Sequence, residues 1–202
     1  MKLNLLTLLM SVSVCLAGAP DSTPAQVLKV AEACWETMWI QDMDNLKPFV
    51  RETDIEHIPQ QSKAQNELRG LEVLKPLRED IRRATSEAFV LDHPQIAEDQ
   101  RHATVRVSLN QDKLLRFLEL FRVYQQYMAA AYMAKQTQRE PPSLDAVRSW
   151  VLAKDSSDRK TIEMQAEETA KQKMPTIHLE FTGHEWRVNL QQLLEDSKPG
   201  TK

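Results

Sequence analysis

Few side chains in this 202-residue sequence are equipped for chemistry: five histidines, two cysteines, and the carboxylates Asp42 and Asp44 one residue apart. Two carboxylates enclosed together can divide acid and base work. Placed just ahead of the amphipathic turn Leu46, Phe49 and Val50, they are more simply the capping groups of a helix start. A zinc site needs three or four converging ligands, usually including a closely spaced pair. His178 and His184 are six apart across a turn, with no cysteine or second pair to complete them. His57 and His93 fall in loops, and His102 opens a strand. His178 alternates with Ile177, Leu179 and Phe181 and is expected to face solvent. Cys34 would need an exposed thiolate near a base to act as a nucleophile, and its place on an apolar helix stripe predicts burial. The sequence holds no Gly-x-Ser-x-Gly elbow, no His-Glu-x-x-His and no phosphate loop. We therefore assign no catalytic residue, no metal ligand and no cofactor from the sequence.

The elements that must position these residues begin with a leader. Met1-Lys2 precedes an apolar run from Leu5 to Leu16 that closes on Ala17-Gly18-Ala19, the three parts of a secretion signal. The run is too short to span a bilayer. Cleavage within residues 17–19, best after Ala17, predicts a periplasmic or secreted protein of bacterial type, with no integral membrane segment left. Cys15 raises the alternative of a lipoprotein, against which Val14 is too bulky for the position before a lipidated cysteine. With Cys15 gone, Cys34 has no internal disulfide partner. The 42% hydrophobic and 27% charged composition is that of one globular domain. Net charge is −3 and becomes −4 without Lys2. No basic stripe interleaves with aromatics, so nucleic acid is not an expected partner.

Ser22-Thr23-Pro24 signals a helix start, and Val27, Leu28, Ala31, Cys34, Trp35, Met38 and Trp39 give one wide apolar stripe running to about Ile40. Residues 51–69 read as loop and short helix. Leu71 to Ala84 returns to helical spacing, with Pro76 accommodated by a helix starting near Lys75. The period then drops to two in Ala88–Leu91 with Ile96, in His102–Leu109, and in the hairpin of Thr176–Phe181 and Trp186–Leu190. Between the strand groups, residues 112–173 carry helical patterns only. The longest runs from Leu114 to Tyr132, Pro141-Pro142 stops it, Ser143 caps another, and Asp155 to Lys173 is helical with little to bury.

This order of helices, strands, helical segment and hairpin resembles the nuclear transport factor 2-like (cystatin-like cone) superfamily, in particular its small exported bacterial members. The pieces that carry the likeness are Trp35 and Trp39 leading into Gln41-Asp42-Met43-Asp44, and the ending Phe181-Thr182-Gly183-His184-Glu185-Trp186-Arg187-Val188. The resemblance covers residues 24–109 and 175–194, and 112–173 departs from it. It implies an α+β fold in which N-terminal helices pack on a curved antiparallel sheet. Some members of the superfamily are enzymes with an acidic base or a His and Asp pair inside the cone.

The expected organisation is a leader at 1–19, an α+β domain at 20–109 and 174–196, a helical insertion at 110–173 and a tail at 197–202. A pocket is expected around Trp35, Trp39, Phe89 and Trp186. The long helix has an apolar face broad enough for packing, for a lid, or for a partner surface made by Leu114, Phe117, Leu118, Phe121, Tyr124, Tyr127 and Tyr132. The function expected is an exported, non-catalytic binding or assembly module for a protein partner or a second copy of the chain. A carrier of a small apolar ligand and an acid-base enzyme are the alternatives.

Overall fold

A computed structural model describes residues 23–40, 42–58 and 60–197. The leader, Cys15, Gln41, Pro59 and most of the tail lie outside the described residues. The fold is α+β, with helices packed on a curled antiparallel half-barrel.

Helix α1 (Pro24–Trp39) starts as its sequence requires, with Thr23 capping the Gln26 amide and Gln26 reaching back to Thr23. Asp42 caps α2 (Met43–Leu46) through the Asn45 amide, and Asp44 pairs with Lys47 at 3.0 Å. Asp42 is thus a cap, while Asp44, in the first turn of α2, is held by the side chains of Lys47 and Asn66. A 3-10 turn over Glu52–His57 and helix α3 (Lys63–Arg69) fill the segment read as loop and short helix. Helix α4 (Lys75–Ala88) keeps Pro76 in its first turn, where no amide partner is lost. It runs on to Ala88, past the helical spacing read to Ala84.

Strands β1 (Phe89–Leu91) and β2 (Gln95–Ile96) pair with opposite ends of β3 (His102–Leu109), whose other edge pairs with β4 (Thr176–Phe181). Ala103 faces Leu179 and Val105 faces Ile177, so the alternating segments on either side of the helical stretch form one sheet. A tight turn at Gly183, φ 98°, joins β4 to β5 (Trp186–Val188), with Phe181 opposite Trp186. A left-handed backbone there favours glycine. The strands bury Ala103, Val105, Val107, Ile177, Leu179, Trp186 and Val188 against α1 and its neighbours. Each large side chain removed from water contributes about 1.5–3 kcal/mol.

The expected insertion does not stand apart. Helix α5 (Gln111–Gln136) has α4 as its most extensive neighbour, followed by α7 (Ser157–Lys171), α6 (Leu144–Val151) and α3. Leu114, Phe117, Val123, Tyr124 and Ala131 belong to the same core as Val27 and Ile177. The charged α7 docks through a specific device: Asp158, almost fully buried, accepts from Arg122 at 2.6 Å and Gln126 at 2.9 Å on α5. Arg159 bonds Glu119 beside it, and Ile162 packs beneath.

The last strand forms but ends before the expected Leu190. Trp186 to Leu190 alternates, but pairing stops at Val188 and α8 (Leu190–Asp196) begins, capped by Asn189 through the Gln192 amide. The reason is a buried carboxylate. Asp54, 1% exposed, accepts the Leu190 amide at 2.7 Å and is gripped by Arg51, which also donates to Asn189. Leu190 and Leu193 turn inward, which a continued strand would not allow together.

Candidate functional site

The first helix sets the site. Trp35 and Trp39 are four apart and share a face, and the chain returns to them twice, at the start of β1 and on α5. Trp39 stacks on Phe89 with centroids 5.2 Å apart and meets Phe117 and Phe121 edge-on at 4.9 and 5.6 Å. Trp35 meets Phe89 edge-on at 5.6 Å. Offset and edge contacts of this kind add about 0.5–1.5 kcal/mol each beyond burial, so the cluster is a rigid floor.

On that floor lies a cavity of about 410 Å³. Trp35, Trp39, Phe89 and Phe121 line its base, and Met38, Met43 and Met174 its flanks. Thr169, Gln172 and Lys173 from the end of α7 and Leu194 and Ser197 from α8 form a more polar rim. Methionines adapt to the shape of what they touch. Trp35 is 6% exposed, and its buried indole N–H finds no acceptor among the described residues. Buried donors are almost always paired; this one lies within a ring that borders both the cavity and a neighbouring groove.

Titratable groups elsewhere do not converge on the cavity. Burial pushes the Cys34 thiol up to about 12, which leaves it protonated and inert. Burial also raises the Glu36 carboxyl, with Arg82 acting in the opposite direction. It lines a separate groove of about 280 Å³ beyond Trp35. His102 contacts Asp99 at 2.6 Å on an exposed turn, where the Arg101 amide and then His102 hold that carboxyl below its usual range. His178 contacts Asp196 at 3.2 Å on the outer face of β4. Neither His and Asp pair lines the aromatic cavity. Among the described residues no group of three or more His, Cys, Asp or Glu is placed to hold a metal ion.

Three of the four expected pocket residues, Trp35, Trp39 and Phe89, do line the cavity. Trp186 does not: it is buried against Phe181, centroids 5.5 Å apart. Of the seven α5 residues expected to meet a partner, Leu114, Phe117, Leu118, Tyr124 and Tyr127 are buried in the domain's own core. The breadth of the α5 face is consumed by α3, α4, α6 and α7 packing around it. A partner could reach those five only by prising α5 out. Phe121 is partly buried at the cavity, and Tyr132 is exposed.

No family model matches the chain, and neither a curated protein nor a solved structure matches it. The site must therefore speak through its own geometry. No described helix is long and apolar enough to cross a membrane. Sequence reasoning missed the rim, because Met174, Leu194 and Ser197 lie on no aromatic or titratable motif. The Asn189 capping signal ahead of Leu190 was the available clue to α8.

Proposed function

We propose that this protein is a non-catalytic binding module that carries a small, largely apolar ligand in the cavity over Trp35 and Trp39. A nuclear transport factor 2-like cone, exported behind the 1–19 leader, is the scaffold this reading uses. The observation that carries it is the aromatic and methionine lining of a cavity of about 410 Å³ with a more polar rim. Ligand sites are concave, mostly apolar and supplied with a few fixed polar groups, and 410 Å³ lies within their usual range. A ligand with a hydrocarbon or aromatic body matches that lining.

The test uses the exposed rim. 1-Anilinonaphthalene-8-sulfonate should bind with quenching or transfer from Trp35 and Trp39. Leu194→Glu, at a position 43% exposed, should weaken it at least about tenfold while leaving the melting temperature in place, since surface changes usually move stability by under about 0.5 kcal/mol. Binding that is indifferent to Leu194→Glu and to Met174→Lys would sink the reading. Sequencing of the mature N-terminus checks export: Gly18 as first residue is expected, and an intact Met1 would refute it.

A further inference from the structure

A second cavity, of about 340 Å³, opens between α3 and the C-terminal half of α5. Its lining includes Gln65, Leu68, Arg69, Tyr124, Gln125 and Met128. At its wall is Arg69, only 9% exposed. An arginine taken out of water is normally paired with a carboxylate, because an unpaired buried cation costs several kcal/mol. Arg69 makes no ion pair among the described residues. Its Nη1 donates to the Gln61 side chain, and its buried Nε–H has no acceptor among the described residues.

The carboxylate that could have answered it is engaged elsewhere. Asp44, close enough for the Arg69 charge to help lower its carboxyl, is held first by Lys47 and also by Asn66 at 2.9 Å. Glu67, on the same helix as Arg69, pairs with Lys135. Two more donors stand at the cavity wall. The Tyr124 hydroxyl has a long contact, 3.5 Å to the Ile40 carbonyl, and burial raises it above its usual value while the charge of Arg69 and a hydrogen bond from it act to lower it. The Gln125 amide lines the same space.

We propose that this cavity is a binding site for a small organic carboxylate, separate from the apolar site above. The Arg69 guanidinium takes the carboxylate, Tyr124 and Gln125 offer further donors, and the ligand's apolar body lies against Leu68, Met128 and the ring of Tyr132. Guanidinium presents parallel N–H groups that match a planar carboxylate two-to-two. The apolar walls favour a carboxylate with a hydrocarbon part over a bare inorganic anion.

Benzoate is the probe, titrated into the full chain at constant ionic strength, with inorganic phosphate in a parallel arm. The expected result is a saturable shift of the Arg69 Nε–H resonance and a rise in melting temperature with benzoate, both at least about tenfold weaker with phosphate. Arg69→Met should abolish both, and Arg69→Lys should weaken benzoate by about ten- to a hundredfold, the equivalent of a hydrogen bond to a charged group. Should Arg69→Met fail to fold, Tyr124→Phe and Gln125→Leu keep the packing and should each weaken benzoate several-fold. An Arg69 resonance that benzoate does not move, affinity unchanged in these variants, or phosphate equal to benzoate would overturn the assignment.

Discussion

The two halves of α5 live in different chemical worlds. Its N-terminal half presents Phe117 and Phe121 to a dry cluster of rings, whereas its C-terminal half presents Tyr124, Gln125 and Met128 to a cavity built beside a buried guanidinium. Only two residues separate Phe121 from Tyr124. One continuous helix thus serves two cavities of opposite character, and the core at the first is held by packing alone. The flank toward α7 is held differently again, by Asp158 and its donors. Packing and paired charge respond differently to deletion, which makes the contrast measurable.

The largest effect should come at the dry end. Phe117→Ala removes a fully buried ring touching Trp39, Phe89 and Phe121 and should cost about 3–5 kcal/mol in chemical denaturation. Tyr124→Phe, at the polar end, should cost under about 1 kcal/mol, because the hydroxyl's bond to the Ile40 carbonyl is long and Arg69 keeps its bond to Gln61. Equal losses would erase the distinction. Asp54→Asn should cost about 2 kcal/mol at neutral pH by weakening the charged contacts to Arg51 and to the Leu190 amide.

The pH dependence of that effect has a definite sign. Burial by itself pushes the Asp54 carboxyl up, but the hydrogen bonds from Arg51 and the Leu190 amide, with the Arg51 charge, outweigh it and hold the group below its ordinary value. A carboxyl depressed on folding contributes stability that is fully present above its unfolded value, about 3.9, and is lost as pH falls through the lower folded one. The gap between wild type and Asp54→Asn should be flat above about pH 5 and close progressively in acid. A gap that widens in acid would refute the account.

Comparable to Asp54→Asn, Asp158→Ala should cost about 1–3 kcal/mol by stranding Arg122 and Gln126. Glu163→Ala, which removes an exposed partner of Arg159 at 2.8 Å, should cost under about 1 kcal/mol. Tyr132→Ser should be near neutral in thermal melts.

The same contrast explains what could be read from the sequence. Alternation along His102–Leu109 and Thr176–Phe181 was legible because one face of each strand is buried, and no other period fits. Trp35, Trp39 and Phe89 were legible as a lining because large aromatics on a core helix and at a strand start have to meet. The α5 face looked like surplus apolar area because a sequence does not count the neighbours around a helix. Asp158, Asp54 and Arg69 were invisible for a different reason. A charged residue in a polar stretch reads as solvated, and only tertiary contacts such as Asp54 to Leu190, 136 residues apart, reveal one that is enclosed.

That contact also sets an order of events. Helix α8 supplies Leu194 and Ser197 to the rim of the aromatic cavity, and its first amide is anchored to a carboxylate from the first third of the chain. Contacts so distant along the chain form late, since ordering a long loop must precede any return from it. The rim of the cavity is therefore incomplete until α8 seats. Buried Leu190 and Leu193 and the His178 contact to Asp196 then hold it in place together with Asp54, so the wall contributed by the end of the chain stands only on a finished core.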